Sequence, residues 1–325
     1  MNPAPPFRRT SRGSLLFVIS AVCLFAVALS GCDQFNARRK IQEAGRLYGK
    51  GKFEDAAKVY EEALKIEPNL VIGHHNAGLA YRQIFQREQA DPDAKQEVVA
   101  KIADKAAAHF LIYLKKFPED GKIIGIMTKL WLDSGQFEKA LAFWEGRLAK
   151  DPKNTEVLGI LAGINRQAGH WDKAVSYYDK QADAEVKPEA KEKALSNIAK
   201  LAWHKLANRQ KVLGMERLHI ADIGLQAMEK AGKLDLGLDS RMDVESYSSS
   251  ILHFRAMAHR ASWAQVADEA AAQAHVRQLT ELREKQKAEL AKQKAELEKQ
   301  KANAGSDKGG DDGAGGDSAA PAKDG

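Results

Sequence analysis

The chain has 325 residues, of which 44% are hydrophobic, so it is long enough to bury a substantial core. Its formal net charge is +6, but three of its 50 basic residues lie within the first 31 positions; the remaining 47 nearly balance 44 acidic residues, which excludes the strong basic excess typical of nucleic-acid binding. The only two cysteines, Cys23 and Cys32, precede the body of the chain, so its stability must come from packing and not from disulfides.

The first 31 residues have the order of an export signal. Arg8, Arg9 and Arg12 precede an apolar run from Leu15 to Leu29 that is broken only by Ser20. The run has about 15 apolar residues, which is short for a bilayer span of about 20 residues. We therefore predict a signal peptide over 1–31.

The end of that run, LSGC at 29–32, resembles the lipobox of bacterial lipoproteins. This resemblance implies that Cys32 becomes the first mature residue and carries a diacylglyceryl group and usually an amide-linked acyl chain, which together anchor a protein stably. Asp33 and Gln34 resemble the pair that retains enterobacterial lipoproteins at the inner membrane, and thus favour the inner over the outer membrane, facing the periplasm. An uncleaved signal anchor, or an ordinary cleaved signal in which Cys32 is coincidental, remains open.

A repeated pattern organises the remainder of the chain. The stretch GQFEKALAFWEGRLAKDP at 135–152 returns 34 residues later at 169–188, and an earlier copy lies at 51–68. Each copy has a glycine, an aromatic residue two positions on, an alanine three further, an aromatic residue four beyond that and a closing proline. The pattern resembles tetratricopeptide-repeat (TPR) proteins, and this resemblance implies an all-α, right-handed solenoid of about five to six antiparallel helix pairs.

Four units match this pattern over 37–188, after a linker at 32–36. The second unit opens at His74–Tyr81, but its second helix resumes 16 residues late. Within the insertion, Asp91 and Pro92 predict an N-cap followed by a first-turn proline. We expect both helices of this unit to be longer than usual, with projecting tips.

The pattern becomes degenerate over 189–275. A first helix is predicted at 194–206, with a partner from about Glu216 to Ala231 that ends at Gly232. A sixth pair is predicted at 241–259 and from Ser262, which would cap a helix in which Trp263 packs as Trp171 does. Aberrant terminal units are expected of solenoids.

The residues 276–303 are rich in strong helix formers and predict a charged helix. Leu290 and Leu297 are seven residues apart, but the opposing seam consists of glutamines, which favours a solvated single helix over a coiled coil. Self-association through this helix remains the alternative. The residues 304–325 predict a disordered acidic tail.

We find no arrangement of residues that predicts catalysis, a cofactor or a metal site. His74 and His75 are adjacent, and adjacent helical residues point about 100° apart, so they do not form a joint metal face. We therefore predict that the chain is not an enzyme; an enzyme of unfamiliar motif is the remaining alternative.

Proteins with these repeats bind partners in a concave groove that is lined mainly by first-helix residues. The resemblance places nine residues there: His75, Arg82, Gln83, Lys129, Arg166, Gln167, Lys200, Trp203 and His204. The alternative interpretation is that these residues are ordinary solvated surface residues and that Trp203 belongs to the core. The carboxylate clamp of cochaperones is absent, since Ile41 and Gly45 occupy first-unit positions where it requires lysine and asparagine.

Together these features predict a membrane-anchored, periplasm-facing TPR scaffold. It is expected to bind a peptide or helical segment of a protein partner in envelope, secretion or pilus assembly, and not nucleic acid. The alternative is a structural lipoprotein that oligomerises through its C-terminal helix.

Overall fold

The computed structural model describes residues 33–208 and 212–306, with side chains described as far as residue 300. Over these ranges the chain forms twelve α-helices and no strand, which confirms the all-α prediction. The predicted signal peptide, the lipidation site Cys32 and nearly all of the predicted disordered tail lie outside the described residues. None of the described helices has the length and apolar character needed to cross a membrane.

The chain divides into two compact units, Met1–Gly146 and Arg147–Gly325, which are described separately. The helices that begin in the first unit are α1 (33–49), α2 (Phe53–Ile66), α3 (Val71–Gln89), α4 (Gln96–Lys116), α5 (Gly121–Asp133) and α6 (Phe137–Leu148). Those of the second unit are α7 (Thr155–Gln167), α8 (Trp171–Ala184), α9 (Pro188–Ala207), α10 (Gly214–Gly232), α11 (Leu238–Ala256) and α12 (Ser262–Ser306).

The recurring glycine of the sequence pattern is a helix C-cap. Gly51, Gly135 and Gly169 adopt left-handed φ values of 73°, 74° and 79°. Glycine adopts this conformation at little energetic cost because it has no Cβ atom. In each turn the following N–H donates to the carbonyl five positions earlier, at 3.0 Å for Lys52 to Leu47, 2.7 Å for Gln136 to Trp131 and 2.9 Å for His170 to Asn165. This is the Schellman arrangement, and it ends the first helix of each pair at the same point of the repeat.

The insertion lengthens α3 to 19 residues and α4 to 21, compared with 13 in α5. The predicted N-cap at Asp91 is wrong, because α4 begins only at Gln96. The Asp91 carboxylate instead accepts from the N–H of Asp93 at 3.0 Å and closes the turn between the two helices. The side chains that flank this turn bind the end of α5: Gln89 Nε2 donates to the Asp133 carbonyl at 3.1 Å, and Gln96 Nε2 donates to the Ser134 carbonyl at 2.9 Å.

The core of the first unit depends on close helix approach. Phe85, Phe110 and Met127 are almost fully buried. A Cβ atom on Gly78 would lie 2.5 Å from the Phe110 ring, so α3 and α4 can pack at their present distance only because this position lacks a side chain.

The second unit shows one departure from the repeat. Pro188, which the pattern predicts to close the fourth unit, is the first residue of α9, whereas α8 has already ended at Ala184. Proline suits the first helical position because its missing N–H would have no intrahelical partner there. The core around α9 contains Leu195, Leu206 and Ile220.

The helix α12 runs without a break for 45 residues and includes both the second helix of the predicted sixth pair and the predicted charged helix. The predicted packing of Trp263 is wrong, since this side chain is 76% exposed. The buried face of α12 starts at Ala264 and continues at Asp268 and Ala272, and Trp263 points away from it because adjacent helical residues diverge by about 100°.

A partly buried ion-pair network, centred on the buried Asp268, joins the last three helices. Arg255 on α11 donates to both carboxylate oxygens of Asp268 on α12, at 2.8 and 2.7 Å, and to Asp222 on α10 at 2.7 Å. His259 lies 3.0 Å from the same Asp268 carboxylate. Beyond Gln286, which donates to Asp239 at 2.7 Å, the side chains of 287–300 are exposed.

Candidate functional site

Two of the three predicted groove residues of α3, His75 and Gln83, already contact side chains of their own unit. The His75 ring packs against Tyr113 with centroids 5.0 Å apart, and its Nδ1 lies 2.9 Å from Asn76 Oδ1. Gln83 donates to the Tyr48 hydroxyl at 3.4 Å. These polar groups therefore have intramolecular partners that a ligand would have to replace.

The two cations predicted in the first unit lie in different surroundings. Lys129 on α5 pairs with Asp133 one turn later, at 2.8 Å, and remains largely exposed. Arg82 on α3 is half-buried. An exposed i, i+4 pair of this kind is worth about 0.3–0.5 kcal/mol, so Lys129 is only weakly held.

Three predicted residues of the second unit come together around one pocket. Arg166, from the last turn of α7, and Lys200 and His204, from α9, line a pocket of about 160 Å³. The remaining lining residues are Tyr178, Asn197 and Leu201. The α9 residues share one face because positions three, four and seven apart are neighbours on a helix.

The electrostatics of this pocket favour an anion. Burial raises the pKa of the Tyr178 hydroxyl, while the charge of Arg166 and its hydrogen bond to that hydroxyl act in the opposite direction. Among the described residues that line the pocket none is acidic, and Lys200 and His204 add two further nitrogen groups. The positive charges are those of Arg166 and Lys200, and we call these two residues together with the neighbouring His204 the cationic face.

A second, more apolar pocket of about 380 Å³ adjoins the cationic face. It shares Arg166, Leu201 and His204 with the first pocket, and Trp171, Val212, Gly169, Lys205 and Asn208 complete its lining. The Lys205 ammonium lies 4.7 Å from the centroid of the Trp171 ring and 3.4 Å from a carboxylate oxygen of Glu216. The charge of Lys205 is thus already partnered within the unit.

The remaining two predicted residues do not line these pockets. Trp203 is half-buried against the hydrophobic core of the second unit, and its ring lies 4.9 Å from that of His204. Gln167 is exposed on α7.

Sequence reasoning missed Tyr178 and Asn197. Asn197 precedes Lys200 by three residues and His204 by seven, so helical spacing from these two could have found it. Tyr178 occupies the second aromatic position of the repeat, and the structure shows that it also lines the pocket.

The adjacent histidines of α3 point to different neighbours. His74 is buried and its Nδ1 lies 3.0 Å from His109 Nδ1, whereas His75 contacts Tyr113. Across the parts of the chain that the structure describes, no three or more His, Cys, Asp or Glu side chains are grouped so as to hold a metal ion.

Family models match one stretch in each unit. A model described as TPR repeat matches residues 46–84, and one described as Tetratricopeptide repeat matches 157–192. These two stretches are therefore similar to tetratricopeptide repeats. Such repeats serve as scaffolds for contacts between proteins. The first match runs from the first unit of the repeat pattern into the first helix of the second, and the other match lies mainly on the fourth unit.

Solved structures give only distant likenesses. A TPR repeats protein from Bacteroides fragilis is 16% identical, with 69% of this chain and 97% of that chain covered and a TM-score of 0.39. YrrB, a TPR protein with an unusual peptide-binding site, is 18% identical, with 62% of this chain and 91% of that chain covered and a TM-score of 0.33. PilW, a widely conserved type IV pilus biogenesis factor, is 17% identical, with 60% of this chain and 91% of that chain covered and a TM-score of 0.28. No curated protein matches the chain. Scores this low carry no inference about function.

Proposed function

We propose that the chain is a lipid-anchored, periplasm-facing scaffold that recruits or positions a protein partner during the assembly of an envelope, secretion or pilus complex. The repeats supply the scaffold, and the LSGC sequence that ends at Cys32 supports the anchor. The partner binds with an extended or helical segment on the cationic face of the second unit.

The convergence of Arg166, Lys200 and His204 is the observation that carries this proposal. They come from two helices, border one pocket and are all exposed. Arginine is enriched at binding hot spots, and its planar group pairs with carboxylates in a defined geometry. In the first unit, by contrast, Lys129 is already paired with Asp133.

Crosslinking in cells followed by capture of the chain tests the binding face. The variant Arg166→Ala/Lys200→Ala/His204→Ala should fold normally, because these side chains are exposed, yet lose the partner that the natural chain captures. The matched control removes three exposed cations elsewhere in the same unit, Lys153→Ala/Lys173→Ala/Lys193→Ala, and should retain the partner. Equal recovery with both variants would contradict the proposed face.

The anchor needs a separate test. The natural chain should incorporate labelled palmitate and fractionate with membranes, and Cys32→Ser should abolish the incorporation. Membrane association that persists without acylation would favour an uncleaved signal anchor. Fractionation of the natural chain tests whether Asp33 and Gln34 retain it at the inner membrane.

A further inference from the structure

We infer that the two adjoining pockets of the second unit form one composite site that recognises a side-chain carboxylate and a large apolar side chain on the same segment of the partner. This inference rests on the proposed function and names the chemistry of the partner. Arg166, Leu201 and His204 border both pockets, so a ligand in one lies beside the other.

The smaller pocket suits a carboxylate. Its lining presents the guanidinium of Arg166, the ammonium of Lys200 and the imidazole of His204, together with the neutral polar groups of Tyr178 and Asn197. Its volume of about 160 Å³ accommodates a small polar group such as a carboxylate. Hydrogen bonds between charged groups are about twice as strong as those between neutral ones, so an acidic side chain is the favoured occupant.

The larger pocket suits an apolar side chain. The Trp171 ring, Leu201 and Val212 form its walls, and its volume of about 380 Å³ falls within the range of about 300–1,000 Å³ typical of small-ligand sites. Lys205 covers the Trp171 ring and pairs with Glu216, so its ammonium adds no unmatched charge to the pocket.

The shared wall requires the two groups to lie close together on the partner, which we take to bind as an extended segment. In an extended segment, side chains two positions apart lie on the same side, about 6.6 Å from each other, whereas adjacent ones point to opposite sides. The site should therefore select Asp or Glu separated by one residue from Leu, Ile, Phe or Trp. Neither feature alone should bind as well as the pair.

An array of nonapeptides blocked at both ends, probed with the full mature chain carrying Cys32→Ser, tests the inference. We expect the bound peptides to be enriched in the acidic and apolar pair at this spacing. In solution, replacing the acidic residue of the best peptide by its amide, or its apolar residue by serine, should weaken binding at least tenfold. Arg166→Glu/Lys200→Glu should lose that peptide and bind a version with lysine in the acidic position.

Other outcomes would overturn the inference. These are bound peptides without a carboxylate, a stronger response to phosphoserine than to glutamate, a requirement for a free C-terminus, or equal binding by the natural chain and the charge-reversed variant. Capture of the cellular partner that depends on the cationic face, combined with no carboxylate preference on the array, would leave the proposed function intact and reject only the composite site. If Arg166→Ala/Lys200→Ala/His204→Ala still captures the partner and Arg166→Glu/Lys200→Glu still binds the peptide, both the proposed function and the composite site are rejected.

Discussion

The imidazole rings of His74 and His109 face each other with their Nδ1 atoms 3.0 Å apart, between α3 and α4. His74 Nε2 lies 2.8 Å from the carbonyl of Pro68, which has no proton to donate, so His74 donates there and its Nδ1 accepts from His109. Protonation of His74 would place a second donor at its Nδ1, where an acceptor is needed. This pair is therefore compatible with two neutral rings and not with two charged ones.

The pair predicts a loss of stability in mild acid. Burial lowers the pKa of His109 to about 4, with the charges of His74 and Lys105 acting in the same direction and that of Glu61 opposing them. In the unfolded chain histidine has a pKa of about 6.5, so the unfolded state binds more protons between these values. Stability is then fully present above pH 6.5 and falls as the pH drops towards 4, by about 1–3 kcal/mol from this group.

Urea unfolding at several pH values measures this effect. His109→Gln should be less stable than the natural chain at pH 7.5, yet its free energy of unfolding should fall less between pH 6.5 and 4. His219→Gln, on an exposed position of α10, controls for the general effect of losing a histidine. An unchanged slope in His109→Gln would mean that other groups cause the acid sensitivity.

Two helical glycines of the second unit should respond oppositely to alanine. A Cβ on Gly224 would lie 2.8 Å from both the Ala202 Cβ and the Ile251 Cδ1, so Gly224→Ala should force α10 away from its neighbours and cost about 1–3 kcal/mol. Gly163 on α7 has open space around its Cβ position, so Gly163→Ala should stabilise by about 0.5–1 kcal/mol. Thermal unfolding compares the two, and the same sign for both would contradict the close packing at Gly224.

The network around Asp268 should contribute more to the free energy of unfolding than an exposed ion pair does. Asp268→Asn removes the charge that two guanidinium nitrogens of Arg255 contact in a buried position, and should cost about 1.5–3 kcal/mol. Glu229→Gln breaks an exposed pair with Lys233 and should leave the free energy of unfolding nearly unchanged. Equal effects in urea unfolding would show that the buried network adds no more than a surface pair.

The exposed end of α12 tests whether the chain self-associates. We expect the natural chain and one that ends after Lys287 to be monomers of the expected mass in size-exclusion chromatography with light scattering. The truncation leaves the last packed contact, Gln286 to Asp239, in place. A dimer that is lost on truncation would support the oligomerising alternative, with Leu290 and Leu297 in its interface.

The repeat pattern predicted the helix pairs well because their turns have a strict backbone requirement. Gly135 and Gly169 must adopt positive φ, and few residues other than glycine do so at low cost. No such requirement marks the turn before α12, so the sequence did not reveal which way Trp263 would point. The end of a helix can dock in several rotations, and tertiary contacts such as Arg255 with Asp268 decide among them.

The site was only partly predictable for a related reason. Family positions predicted Arg166, Lys200 and His204, which the structure places around one pocket, but did not show that these three would converge while Lys129 would not. Lys129 instead pairs weakly with Asp133, a partner that helical spacing alone could have revealed. The second pocket depends on Val212, which lies after the end of α9. Its position in the sequence has no helical spacing to the other lining residues, so this pocket could be found only from the fold.

The continuity of α12 has a mechanical consequence. No glycine or proline interrupts it between the network at Asp268 and Gln286, where its last described packing contact lies. The 20 residues from there to Ser306 extend about 30 Å at 1.5 Å per residue. A force applied at the far end of α12 would therefore act on its packed part, which extends from Gln286 back to Asp268. At Asp268 the contacts of Arg255 connect α10, α11 and α12.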